Sequence, residues 1–219
     1  MSLALNFYHD QVESEGRTSA DLAPAHRVFF VRFGSVEVNG QVLNGGDAIY
    51  SDTSVAIRSS GQWSQIWRWE LAPPVAAALL LQGSGVLSML RMQRAIQNFA
   101  MLKDTKWLFR LDRITTPAGR VADRHQHPGP GIRCLNEGTF NVEQHGESYR
   151  NLCPGDAWWE TGYDTVTAWS SPQMAAQFMR CMILPPECEG KVTGTWLSGE
   201  PPVRKPGSWK LFIDQIVCL

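Results

Sequence analysis

The 219-residue chain has no apolar run longer than Val75–Leu81 (VAAALLL), far short of the ~20 residues that cross a bilayer. Its first ten residues lack a basic segment followed by an apolar core, so the expectation is a soluble, cytoplasmic protein with no membrane partner. Charge of one sign is missing too. Lys plus Arg number 20 against 21 Asp plus Glu, and no basic run stands out, which argues against nucleic acid as a partner. The five cysteines form no CxxC pair and leave one over, excluding a disulfide scaffold and a thiolate zinc site. Neither a glycine-rich phosphate loop before a helix nor a G-x-S-x-G elbow occurs, so nucleotide-dependent transfer and the common serine hydrolase arrangement have no support.

What the chain does have is strand signal. Val28–Phe33, Ser35–Val38, Gln65–Leu71, Lys106–Ile114, Thr139–Val142 and Gln177–Leu184 are short, rich in β-branched and aromatic residues, and bounded by Gly, Pro, Asn or Ser. They predict an all-β sandwich or barrel. Two stretches are open to a helical reading, Val75–Leu81 and Val86–Leu102. The second lacks a clean apolar face and reads equally well as strand.

A weak internal repeat runs through the chain. FGSVEV…GGDAIY (Phe33–Val38, Gly45–Tyr50) lines up with EGTFNV…PGDAWW (Glu137–Val142, Pro154–Trp159), suggesting a duplicated β unit. The expected domains are an N-terminal β unit over 1–74, a connector over 75–105 and a C-terminal barrel over 106–190. A Pro-rich arm and final strand fill 191–219.

The segment RHQHPGPGIRCLNEGTF (Arg124–Phe140) places two histidines two apart. With His125, His127, Gly138 and the later Pro154-Gly155-Asp156, the second half resembles a cupin, a small jelly-roll barrel (double-stranded β-helix). The repeat makes the whole resemble a bicupin. The resemblance implies a His-x-His, a Glu and a further His as metal ligands. Here the Glu position falls on Gly131 and the last His position falls near Thr165–Thr167. In the first half the same offset puts Asp21 and Ala23 where His-x-His would stand.

On a strand, His125 and His127 share a face, close enough for both imidazoles to approach one divalent cation, whether iron, zinc, nickel or manganese. Two imidazoles alone make a weak site. Among the nearby acids Asp123 shares their parity, Glu137 and Asp156 suit turns, and Glu160 is the preferred third metal ligand or general base. Arg133 faces inward on parity grounds, either to orient an acidic substrate or to pair with Glu160 or another acid. Trp158 and Trp169 offer a flat wall for an aromatic ligand, or are core. Cys134 alternates with Arg133 and is expected to face outward.

Two functions remain open. One is a metal-dependent enzyme, oxidoreductase- or isomerase-like, acting on a small acidic or aromatic molecule. The other is a non-catalytic or metal-free cupin that binds a small ligand. The many aromatics and the near-zero net charge fit a homodimer.

Overall fold

A computed structural model describes residues 3–72, 80–96, 106–197 and 207–218. The chain divides into two compact units, Met1–Lys103 and Asp104–Leu219. Both are antiparallel β structures joined by tight turns, as the punctuated strand pattern predicts. Among the described residues the one helical piece is a single 3-10 turn at Pro186–Cys188. Among the described residues no helix is long and apolar enough to cross a membrane.

The first unit contains β1 (Leu3–Thr18), β2 (Arg27–Phe33), β3 (Ser35–Val38), β4 (Gln41–Asn44), β5 (Ala48–Ser51), β6 (Ile57–Ser59), β7 (Ser64–Ala72) and β8 (Gly83–Ile96). Their order is β4-β3-β6-β1-β7-β2-β5, with β8 on the other edge of β1. Gly83–Ile96 therefore resolves the helix-or-strand alternative as strand, and it lies within the span expected to be a connector. Residues 75–79 of the other candidate helix, 97–102 of this one and 200–206 of the Pro-rich arm fall outside the described residues.

The unit closes over a dense apolar core that includes Leu22, Phe29, Val31, Val38, Val55, Ile57 and Ile66. Beside it lies a fully buried charge network. Arg27 Nε meets Glu70 Oε2 at 2.7 Å, Arg68 Nη1 meets the same oxygen at 3.0 Å, and Arg68 Nε meets Asp10 Oδ2 at 2.8 Å. Ser88 Oγ donates to Asp10, and the Arg68 guanidinium lies over the Tyr8 ring.

The second unit contains β9 (Lys106–Thr116), β10 (Val121–Gln126), β11 (Gly131–Glu137), β12 (Phe140–Gln144), β13 (Glu147–Leu152), β14 (Ala157–Glu160), β15 (Val166–Ser170), β16 (Ala176–Leu184), β17 (Thr195–Trp196) and β18 (Trp209–Cys218). They form two five-stranded sheets, β13-β12-β15-β10-β17 and β14-β11-β16-β9-β18. The final strand pairs along β9. Between the sheets pack Leu135, Phe140, Val142, Trp158, Val166 and Ala168.

The repeat is real at the level of hydrogen bonds. Asp47 Oδ2 accepts from Asn44 N at 2.9 Å, and Asp156 Oδ2 accepts from Cys153 N at 2.8 Å. Each aspartate also carries a backbone pair with the preceding strand, to Val31 and to Leu135. Gly34 and Gly138 both have positive φ, and a methyl group on either would overlap a carbonyl oxygen, of Trp63 and of Ala175 respectively. Cys134 differs from expectation: β11 is buried on both faces, so the residue alternating with Arg133 is also fully enclosed.

Candidate functional site

A cavity of about 260 Å³ opens inside the second unit, walled by residues of both sheets. Its floor and sides are apolar, with Ile114, Phe140, Val166, Ala168, Phe178 and Trp196 contributing. At one end stand His125, His127, Glu160, Arg180 and Thr193.

The histidines come from β10 and the turn after it. His125 pairs with Val166 on one side and Trp196 on the other. A bulge between Ala122 and His125 interrupts simple alternation, so Ala122 lines the cavity while Asp123 is exposed and contributes its backbone instead. His125 Nδ1 meets the Asp123 carbonyl at 2.7 Å, and His127 Nδ1 meets the Thr193 carbonyl at 3.2 Å. A carbonyl only accepts, so in each ring Nδ1 carries the proton and the neutral form leaves Nε2 bare. Burial, then the positive charge of Arg180 and Arg133, lowers the His125 pKa against the opposing pull of the Asp123 carbonyl and Glu160. Burial pushes His127 well below the ordinary value, with Arg133 and Arg180 adding to it. Both rings are neutral at neutral pH.

Glu160 ends β14 and is held on both oxygens. Trp158 Nε1 donates to Oε1 at 2.8 Å, and Arg133 Nη2 sits 2.8 Å from Oε2. The same Oε2 faces His127 Nε2 at 3.4 Å. That contact is an ion pair only with a protonated ring, which burial and the two guanidiniums oppose. As it stands, two acceptors confront each other. Arg133 is fully buried behind the carboxylate, donates also to the Gly131 carbonyl at 2.6 Å, and has its pKa pushed down to about 10, chiefly by burial. It does not line the cavity.

The sequence-level candidates thus separate. His125, His127 and Glu160 all line the cavity, and Arg133 is the clamp under Glu160. Trp158 is core, its indole N–H committed to Glu160. Trp169 lies under the guanidinium of Arg150, 4.6 Å from ring centre to Cζ, and Trp196 and Phe140 form the aromatic wall instead. Gly131 has no room for a side chain, because a Cβ would overlap the Cys181 carbonyl. Its place in the Glu position is thus imposed by the packing of β11 on β16. Arg180, Thr193 and Trp196 were missed. An arginine inside the apolar run QFMRCMIL was the available signal for the first. Asp112, equally isolated in KWLFRLDRI, is its partner, through two bonds of 2.7 Å.

A resident metal does not fit these residues. Among the described residues no three His, Cys, Asp or Glu converge to hold an ion. The carboxylate oxygen that faces His127 lies 2.8 Å from the Arg133 guanidinium, whose positive charge opposes a cation there.

Two all-β jelly-roll units with these strand pairings and this internal repeat give the chain a bicupin fold. No protein-family model and no curated protein matches the chain. Solved structures do. An oxalate decarboxylase of Lactobacillus farciminis, in a formate complex, superposes with a TM-score of 0.61 at 10% identity, covering 90% of this chain and 82% of that one. AerE from Microcystis aeruginosa gives 0.57 at 12% identity over 82% and 88%. Procruciferin, an 11S globulin of Brassica napus, gives 0.56 at 11% over 90% and 89%. An enzyme and a globulin share the architecture, so function has to be argued from the site.

Proposed function

We propose that the second barrel is a metal-independent pocket for one small, largely apolar molecule. The observation that carries this reading is the contrast between the units at matching positions. Leu22 pairs with Val55 as His125 pairs with Val166, and Val38 pairs with Ile57 as Val142 pairs with Ala168. Leucine and isoleucine in the first unit belong to its packed core. Histidine and alanine in the second border a cavity of about 260 Å³. Apolar walls with a few converging polar groups are the ordinary composition of a small-molecule site.

The Arg133 guanidinium against Glu160 Oε2 favours this over a metal-dependent enzyme, since its positive charge opposes a cation at the third ligand of a weak pair of imidazoles. Protein purified without tag or chelator should contain no stoichiometric metal, and added iron, zinc, nickel or manganese should leave its thermal midpoint unmoved. Small aromatic or alicyclic molecules should raise that midpoint by mass action. One equivalent of metal that disappears in the His125→Ala, His127→Ala variant would overturn the reading.

A further inference from the structure

The polar end of the cavity has its cations neutralised within the protein and its acceptors exposed. Arg180 makes a two-pronged pair with Asp112, whose Oδ2 also accepts from Trp209 Nε1 at 2.9 Å. Arg133 is turned away behind Glu160. Against these stand the bare Nε2 of His127, the Glu160 Oε2 that it faces at 3.4 Å, and the bare Nε2 of His125. Thr193, only 7% exposed, adds a hydroxyl with no hydrogen-bond partner, on the residue whose carbonyl holds the His127 ring. Two facing acceptors in a dry site are unfavourable until a donor enters between or beside them.

We infer that the ligand presents a neutral hydrogen-bond donor, a hydroxyl or N–H, to His127 Nε2 and Glu160 Oε2, with its apolar body against Phe140, Phe178 and Trp196. This rests on the reading of the cavity as a small-molecule pocket and narrows its ligand class. A carboxylate head would find no unpaired guanidinium in Arg133 or Arg180 and would stand beside the Glu160 charge. A cationic head would meet the positive field of the same two arginines, which adds to burial in lowering both imidazole pKa values. A hydroxyl can donate to one of the facing acceptors and still accept from Thr193 Oγ1.

Three probes with one ring separate these cases: benzyl alcohol, benzyl methyl ether and benzoate, titrated into the intact protein at neutral pH and followed by heteronuclear NMR. So small a ligand should bind in the millimolar range. The alcohol should bind roughly five- to tenfold tighter than the ether, the worth of about one net hydrogen bond, and benzoate should bind weakest. His127→Leu should narrow the difference between alcohol and ether, with Glu160 Oε2 remaining as an acceptor, while ether binding persists. Should that variant not fold, Thr193→Val, which removes a donor open to hydroxyl and ether oxygens alike, should weaken both probes and keep the advantage of the alcohol over the ether. Equal binding of alcohol and ether, or preference for benzoate, would overturn the donor assignment and leave the pocket standing. Failure of all three to shift any cavity resonance would remove the pocket reading itself.

Discussion

Glu160 is fixed by a guanidinium and an indole N–H, both out of contact with water, so removing one partner leaves a charge that nothing else can solvate. Arg133→Met is expected to destabilise the protein by about 3–5 kcal/mol, and pairing it with Glu160→Gln should restore a large part of that loss. Urea denaturation of the two single variants and the double variant measures the difference. The two histidines supply a second handle. Their folded pKa values lie below the unfolded one, so the native state binds fewer protons and stability falls as pH drops through the ordinary histidine range. Each neutral imidazole can cost up to about 1.4 kcal/mol per pH unit on that limb. The variant His125→Gln, His127→Gln should flatten it, which urea midpoints between about pH 7 and pH 5 would reveal. Strand parity made the histidines and Glu160 legible. It failed for Asp123, because a bulge is invisible in a side-chain pattern. It failed for Arg180 and Thr193 as well, since a charge in an apolar strand or a threonine in a loop carries no sign of what it will face.

At the scale of elements, the turns were the most readable feature, since Gly-Asp after a strand has a local physical reason wherever it occurs. Gly138 illustrates the constraint, with φ of 83° and a backbone carbonyl where a Cβ would stand. Gly138→Ala should cost at least about 1–3 kcal/mol from backbone strain alone. Gly146, also at positive φ but with open space around it, should lose less on the same change, and thermal midpoints of the two variants test this ranking. The longest strand of the first unit, β1, was not legible at all. LALNFYHDQVESEGRT is buried through its first half, yet Asn6, His9 and Asp10 interrupt both the apolar run and the alternation that mark a strand. A search for apolar periodicity overlooks strands whose interior positions hold paired polar groups.

Across the whole molecule, the two repeated units differ at matching positions, isoleucine and leucine in the core of the first standing where alanine and histidine line the cavity of the second. Giving the second unit the first unit's residue, Ala168→Ile, should abolish small-molecule binding with stability unchanged or raised, because the added methylenes enter empty space. Probe titration and denaturation of the same variant read both effects. The first unit carries a further consequence in its buried ion network. Asp10 and Arg68 lie on adjacent strands, β1 and β7, which run side by side over nine paired residues from Ala4↔Ala72 to Val12↔Ser64. A slip of one residue would turn every side chain of β1 to the opposite face, stranding Arg68 and Glu70 without Asp10 in an environment that cannot hydrate them. Purely apolar strands would tolerate that error at little cost, whereas charges that match in only one alignment penalise it heavily. The four-residue network thus acts as a lock on strand register. Replacing it by Asp10→Asn, Arg27→Met, Arg68→Met and Glu70→Gln together is predicted to leave overall stability close to wild type while splitting the NMR resonances of β1 into more than one alignment.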